Sequence, residues 1–194
     1  MTKIIAGIDY SITSPAICIH IGDIWDYSNC VFHFCVVSEK KHDILQEELK
    51  SNHQLNPHYI PSKNEFKSDL ERFDYISDVI MKPLLSFSKV DHVYLEGYSF
   101  GSSGSLVFNI AENTGILKYK LLKNTIPYTT FAPSAIKKYA TGKGNAKKEL
   151  MEDAFESEQE IGLRNLLHQT EKQNNPSSDI IDSYFICSNG FNIK

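Results

Sequence analysis

Residues 3–9 read Lys-Ile-Ile-Ala-Gly-Ile-Asp, a short apolar run that ends in a carboxylate. A run of this length and composition is typical of a buried β-strand. After the turn-like residues 11–15, a second strand is predicted over 16–21, and the β-branched and aromatic residues of 30–37 predict a third. The connections between these strands are short, which favours an antiparallel meander at the start of the chain.

The rest of the chain alternates helical and strand-like patterns. Residues 38–64 are polar and include two prolines, which is typical of an excursion or a mobile loop. The later patterns predict, in chain order, a helix over 65–87, a strand over 90–96, a helix over 105–123 and a strand over 127–131. The strand over 90–96 again ends in a carboxylate. A mostly helical tail follows, which breaks at 174–176 and resumes at Ser177 or Ser178. With no internal repeat and no boundary signal, the sequence predicts a single domain over 1–194.

Composition limits the class of protein. The chain has 194 residues, of which 41% are hydrophobic and 23% charged, as in an ordinary globular protein. No apolar run approaches the ~20 residues that span a bilayer, and Asp9 and Tyr10 interrupt the layout of a signal peptide. The four cysteines are scattered without a C-x-x-C pair, which favours buried free thiols over disulfides or a zinc site. We therefore expect a cytoplasmic protein with no membrane partner.

Four carboxylates stand out by position. Asp9 and Glu96 each end an apolar strand, and Asp179 and Asp182 are three residues apart near the start of the last helix, so they share one face. Each alone is compatible with a solvated strand end or a helix cap. Together at the mouth of one sheet they would repel each other, and hard divalent cations with oxygen ligands relieve that repulsion. Two such ions can hydrolyse a phosphodiester without help from histidine, and the seven histidines show no ligand spacing.

A family resemblance rests on three short motifs in order: Gly7-Ile8-Asp9, Leu95-Glu96-Gly97 and Ser178-Asp179-Ile180-Ile181-Asp182. They resemble the corresponding motifs of RuvC-like Holliday-junction resolvases, and the segment 133–148 is similar to the stretch that precedes the family's penultimate helix. The resemblance implies an α/β fold of the RNase H type. Such a fold has a mixed five-stranded sheet, its first three strands antiparallel, flanked by helices.

The resemblance also implies roles for individual residues. Asp9, Glu96, Asp179 and Asp182 would form a catalytic tetrad that binds two Mg²⁺ ions per subunit, with Mn²⁺ as a possible substitute. Lys148 would assist cleavage. This sequence departs from the family pattern in the length of 38–64 and in Tyr10-Ser11, where Pro-Gly is common.

A DNA-binding surface is expected beside the tetrad. Residues 132–148 contain five lysines and no acid, whereas 149–160 contain six acids and no base. This asymmetry is compatible with an ordinary solvated helix face, and equally with a phosphate-binding patch. In the second interpretation, the contacting lysines besides Lys148 are Lys137, Lys138, Lys143 and Lys147.

The net charge of −4 does not exclude DNA binding, because the four proposed ligands account for it: 24 acids minus four equals the 20 basic residues. The loop after Glu96 adds two aromatic residues, Tyr98 and Phe100. Either could stack on an unpaired base, as an aromatic residue near this place does in the family, and the sequence does not decide between them.

The helix over 105–123 carries two apolar stripes. The first consists of Leu106, Ile110, Leu117 and Leu121, and the second begins with Val107, Ala111 and Thr114. The second stripe must be buried, either by the C-terminal helices or by a second subunit, and the family dimer forms through the equivalent helix.

The resemblance thus implies a homodimeric endodeoxyribonuclease that resolves four-way DNA junctions, and we expect it in the cytoplasm of a bacterium or a phage-infected host, although the sequence does not name the host. The small size and the Lys-, Asn- and Ile-rich composition suit a phage or an AT-rich genome. Two alternatives stay open. One is an RNase H-fold nuclease that acts on flaps, forks or RNA–DNA hybrids. The other is an actin-like or sugar-kinase-like ATP-binding fold, which also begins with a Gly-Ile-Asp strand. The preferred DNA structure and any sequence preference are not determined by the sequence.

Overall fold

The computed structural model describes residues 2–98, 105–170 and 172–193. Its centre is one six-stranded sheet in the order β4-β3-β2-β1-β5-β6. The strands are β1 (Ile4–Asp9), β2 (Ala16–Ile21), β3 (Cys30–Val36), β4 (Leu55–Tyr59), β5 (His92–Glu96) and β6 (Tyr128–Phe131). The α/β architecture of the RNase H type is therefore confirmed.

The sheet is mixed. β1, β2 and β3 form the predicted antiparallel meander, while β5 runs parallel to β1, β6 parallel to β5, and β4 parallel to β3. Because β3 is antiparallel to β2 and β2 to β1, five of the six strands end at the same edge of the sheet. Only β2 runs the other way.

Helices cover both faces of this sheet. They are α1 (Glu39–Glu48), α2 (Asp69–Leu85), α3 (Ser105–Lys123), α4 (Pro133–Thr141), α5 (Lys148–Gln159), α6 (Leu163–Leu166) and α7 (Ser177–Asn192). Buried residues of α2 and α3 pack on one face, and those of α1, α4, α5, α6 and α7 on the other. None of the described helices is long and apolar enough to cross a membrane.

The prediction for residues 38–64 is wrong. Instead of a mobile loop, this stretch forms α1 and then β4, which adds a sixth strand where five were expected. Leu45 of α1 and Leu49, which directly follows the helix, are buried against the sheet, and Leu55 of β4 is buried with them. The segment therefore contains a helical crossover connection between the parallel strands β3 and β4, which need a connection of this length, and is not an irregular loop.

The cysteine prediction holds. Cys18, Cys30, Cys35 and Cys187 are all free and buried. Burial raises the pKa of the Cys18 thiol well above its ordinary value, and the neighbouring thiols of Cys187 and Cys30 raise it further. Cys18 is therefore a packing group and not a nucleophile.

Gly7 fixes the distance between β1 and α7. A Cβ atom built on Gly7 would lie 2.2 Å from the backbone nitrogen of Cys187 and 2.5 Å from the carbonyl oxygen of Ser183. Backbone cannot move aside as a side chain can, so we expect Gly7→Ala to lower the free energy of unfolding by about 3 kcal/mol or more. Urea unfolding followed by circular dichroism measures this loss.

The matched control is Gly162→Ala, since a Cβ on Gly162 would meet only the ends of two flexible side chains, Asn165 at 3.4 Å and Glu156 at 4.0 Å. We expect this variant to differ from wild type by less than about 1 kcal/mol. Equal stability of the two variants would show that α7 does not pack on β1 as closely as described.

Candidate active site

The fold brings the four predicted carboxylates to one place. Asp9 ends β1 and Glu96 ends β5, and these strands are parallel neighbours in which Ile8 pairs with Leu95. Asp179 and Asp182 lie in the first turns of α7, which crosses β1 on the face where Gly7 gives it room. The site therefore lies at the carboxyl edge of the sheet, under the start of α7.

The carboxylates perturb one another strongly. Burial is the main reason that the pKa of Asp9 lies well above its ordinary value, and the charges of Asp179, Asp182 and Glu96 raise it further. Burial together with Asp182 raises the pKa of Glu96 to about 7. Burial likewise raises the pKa of both Asp179 and Asp182. Such a cluster is unfavourable in its fully ionised form unless cations neutralise it.

Two of the predicted lysines reach this cluster. The positive charge of Lys148 lowers the pKa of Asp9, Asp179 and Asp182, and that of Lys137 lowers the pKa of Glu96 and Asp182. Both effects are smaller than that of burial, so the lysines do not neutralise the site. The other three predicted lysines, Lys138, Lys143 and Lys147, are exposed, and the structure gives them no contact with the carboxylates.

Sequence reasoning missed a polar network around the start of α7. Asn175 donates from Nδ2 to Oγ of Ser14 at 2.6 Å, and its Oδ1 accepts from Oγ of Ser178 at 2.9 Å and from Nζ of Lys148 at 3.4 Å. Lys148 also donates to Oγ of Ser178 at 3.0 Å. The Ser14 hydroxyl in turn lies close enough to the Asp179 carboxyl to lower its pKa. Asn175 thus connects the β1–β2 turn, the start of α5 and the start of α7.

The donor set suits a hard divalent cation. All four groups offer carboxylate oxygens, and Oδ2 of Asp179 is buried without a hydrogen-bond partner. Among the residues that the structure describes, no three Asp, Glu, His or Cys side chains already form a ligand set. The carboxylate oxygens are therefore suitable ligands for a divalent cation, but the described side chains are not arranged as a complete ligand set.

A cavity of about 370 Å³ opens directly beside Asp9 and Glu96. Its walls are mostly apolar and include Ile110 and Tyr98, whose side chain is 46% exposed. Lys118 lies over the Tyr98 ring, with Nζ 5.1 Å from its centroid. Tyr98 is therefore beside the site and available for stacking, while the prediction for Phe100 falls outside the described residues.

The raised pKa values predict how stability of the metal-free protein changes with pH. A carboxylate whose pKa is higher in the folded state contributes stability below its unfolded pKa of ~4, and that contribution is lost as pH rises through the folded value. We therefore expect Asp182→Asn, which removes one of the repelling charges, to raise the melting temperature in EDTA more at pH 8 than at pH 5.

Wild type must be compared with Asp182→Asn because two histidines change the stability of the fold with pH in the opposite direction. Burial lowers the pKa of His33 and His58 to about 4, which destabilises the fold as pH falls below the ordinary histidine value. Both proteins retain these histidines, so the difference between their melting temperatures isolates the carboxylates. A difference that stays constant from pH 5 to pH 8 would contradict the described burial of the cluster.

Comparisons with known proteins identify the family and the fold of this chain. The family model for crossover junction endodeoxyribonuclease RuvC matches residues 42–157, more than half of the chain, a stretch that includes Glu96 and Lys148. The crossover junction endodeoxyribonuclease RuvC of Christiangramia forsetii is 24% identical over 131 residues. The matched region covers 68% of this chain and 62% of that protein, so the chain spans less than two thirds of its curated relative.

Solved structures show the same fold. Thermus thermophilus RuvC superposes with a TM-score of 0.56 at 17% identity, covering 97% of this chain and 93% of that one. T. thermophilus RuvC in complex with Holliday junction substrate gives 0.58 at 17% identity, covering 95% and 90%. The yeast mitochondrial Holliday junction resolvase Ydc2 gives 0.54 at 15% identity, covering 97% and 78%. With a family model matched over most of its length and the fold shared throughout, this chain belongs to the RuvC family of crossover junction endodeoxyribonucleases.

Proposed function

We propose that this protein is a divalent-cation-dependent endonuclease that resolves four-way DNA junctions as a homodimer. The observation that carries the proposal is the convergence of Asp9, Glu96, Asp179 and Asp182 at one sheet edge, where burial raises the pKa of every one of them. A solved relative of the same fold is a RuvC in complex with Holliday junction substrate, which supports the choice of DNA. Family membership leaves the ATP-binding alternative without support.

The carboxylates would hold Mg²⁺, or Mn²⁺ in its place, and two such ions would activate a water molecule and stabilise the leaving oxygen of the phosphodiester. The chain's own groups orient the reactants. Lys148 stands beside Asp179, where its ammonium can contact the phosphate. Asn175 and Ser178 fix the position of that ammonium. We expect the products to carry 5′-phosphate and 3′-hydroxyl ends, as in the family.

The exposed lysines Lys138, Lys143 and Lys147, together with Lys137, would bind the backbone of the DNA outside the scissile position. Tyr98 would stack on a base at the branch point, because the residue is 46% exposed at the rim of the cavity. We also propose that the protein acts in the cytoplasm of a bacterial or phage-infected cell.

The exposed face of α3 supports a dimer. Phe108, Tyr119 and Leu122 are 71%, 58% and 70% exposed and lie on one side of the helix, with Gly115 between them. The exposed stripe is displaced by one residue from the predicted stripe, which began with Val107, Ala111 and Thr114. Thr114 is buried, and its hydroxyl donates to the carbonyl of Ile110. α7 packs on the opposite face of the sheet, so among the described elements the C-terminal helices do not cover this stripe.

Cleavage of four matched substrates tests the proposal: a four-way junction, a flap, an RNA–DNA hybrid and a linear duplex, each with Mg²⁺, Mn²⁺ or EDTA. We expect the junction to be cut at paired symmetric positions in either metal and not in EDTA. Faster cleavage of the flap or the hybrid would favour the other nuclease activity on this fold, and equal cleavage in EDTA would exclude the metal-dependent mechanism.

A further inference from the structure

A second groove lies on the same edge of the sheet as the carboxylates. It has a volume of about 290 Å³ and runs between the β1–β2 turn, the end of β3, the start of α1 and the segment before α7. Its polar lining residues are Thr13, Ser14, Ser38, Lys41, Gln173 and Asn175. No Asp or Glu is among the described residues that line it, although the chain as a whole has more acids than bases.

Lys41 gives this groove an uncompensated positive charge. Its side chain is half-buried, and burial lowers the pKa of its ammonium. In the described part of the chain, no carboxylate forms an ion pair with it, whereas several exposed lysines, such as Lys63 and Lys89, are paired. A partly desolvated cation without a partner is unfavourable, and binding of an anion would relieve this cost.

The groove is continuous with the candidate active site. Ser14 and Asn175 line it, and the same two side chains hydrogen-bond each other and connect to Asp179 and Lys148. In the sheet, Asp9 lies level with Ala16 of β2, which lies level with Phe34 of β3. Strands are ~4.8 Å apart, so Phe34 is about 10 Å from Asp9, and Cys35 and Val36, which line the groove, directly follow Phe34. Successive phosphates of one strand advance ~3.4 Å along a duplex, which places the groove within about three phosphates of the scissile one.

We propose that this groove binds one backbone phosphate of the strand that is cut, with Lys41 as its cation and the Asn175 and Gln173 amides as further hydrogen-bonding groups. The inference deepens the proposed function and rests on it. It also gives the crossover α1–β4 a role, because α1 places Lys41 beside the active site. Residues 38–64, whose length departs from the family pattern, would thus add a contact with the DNA backbone.

The test compares two adjacent lysines of α1. Lys40 is exposed and does not line the groove, so Lys40→Ala changes the net charge equally and serves as the control. Each change is made in an Asp182→Asn background, so that DNA stays intact, and junction affinity is measured by fluorescence anisotropy over a range of salt concentrations. We expect Lys41→Ala to weaken binding roughly five- to tenfold and to lower the salt slope by about 1. Lys40→Ala should change affinity less than about twofold, since an exposed lysine away from the phosphate contributes little.

Neutral methylphosphonates identify the phosphate that Lys41 contacts. They replace, one at a time, the three phosphates on either side of the scissile one. At one of these positions, the methylphosphonate should weaken junction binding several-fold in the protein that has Lys41 and have no effect in Lys41→Ala. Identical methylphosphonate profiles in the two proteins, or equal affinity of Lys41→Ala and Lys40→Ala, would overturn the proposed contact.

The outcome is separable from that of the proposed function. If junctions are cut but the two lysine variants behave alike, only the phosphate site is refuted. If the substrate panel shows another preferred DNA structure, the same two variants are compared on that DNA, and the result for the groove stands independently.

Discussion

Asp182→Asn is expected to reduce junction cleavage by about a thousandfold or more, which corresponds to a barrier higher by roughly 4 kcal/mol. The substitution keeps the shape of the side chain but removes a charge that faces Asp9 and Glu96. Metal affinity and chemistry depend on that charge, whereas lysines supply most of the affinity for phosphate. Binding of intact junctions should therefore stay unchanged or become tighter, because one repelling charge is lost. Single-turnover cleavage and anisotropy measure the two effects separately.

Asp153→Asn is the matched control, since Asp153 lies on α5 with its side chain exposed. It makes the same chemical change away from the cluster, and we expect cleavage within about twofold of wild type. Undiminished turnover of Asp182→Asn at low and high Mg²⁺ would exclude Asp182 from the metal site. A parallel loss of junction binding would instead indicate that Asp182 supports the DNA-binding surface.

The elements around the site were predictable because each has a strong local pattern. Residues 3–9 and 90–96 are apolar runs closed by an acid, and the structure ends β1 at Asp9 and β5 at Glu96. The bounds predicted for β2 and α3 agree with the structure. The interior residues of β1 are buried, and a continuous apolar run is typical of such a strand.

The crossover formed by residues 38–64 was not predictable in the same way. Strand β4 reads Leu-Asn-Pro-His-Tyr, with a proline in the middle and no alternation of apolar residues. A proline is tolerated there because β4 is the edge strand, and its position is set by pairing with β3 rather than by its own composition. Long-range pairing of this kind leaves no local signal in the sequence.

The site shows the same division between local and long-range signals. Asp9 and Glu96 could be predicted because each ends an apolar run, and Asp179 and Asp182 because they are three residues apart near the start of a helix. Asn175 and Ser14 could not, since Asn and Ser in turn-like segments are what any loop contains. Their importance comes from the path of the chain, which brings residues 161 positions apart within 2.6 Å. The only available signal was the polar cluster immediately before Asp179.

Phe108→Glu is expected to convert a dimer into monomers that no longer resolve junctions by paired cuts. Phe108 is 71% exposed in the single chain, so the substitution should leave the fold of each subunit intact. In a two-fold interface the same face of α3 meets itself, and two introduced charges would be buried close together without partners. The cost of such burial is several kcal/mol per interface, enough to dissociate a dimer at micromolar concentration.

Sedimentation velocity and cleavage of a supercoiled cruciform plasmid give independent measurements. Wild type should sediment as a dimer and produce linear plasmid, because both strands are cut within one encounter. Phe108→Glu should sediment as a 22.0 kDa monomer and give nicked circles or no product. The control is Leu85→Glu, which places the same charge on a 53% exposed leucine at the end of α2 and should remain dimeric and active. A wild-type monomer with full junction-cutting activity would refute the dimer itself. A dimeric and fully active Phe108→Glu would place the interface on a face other than the exposed stripe of α3.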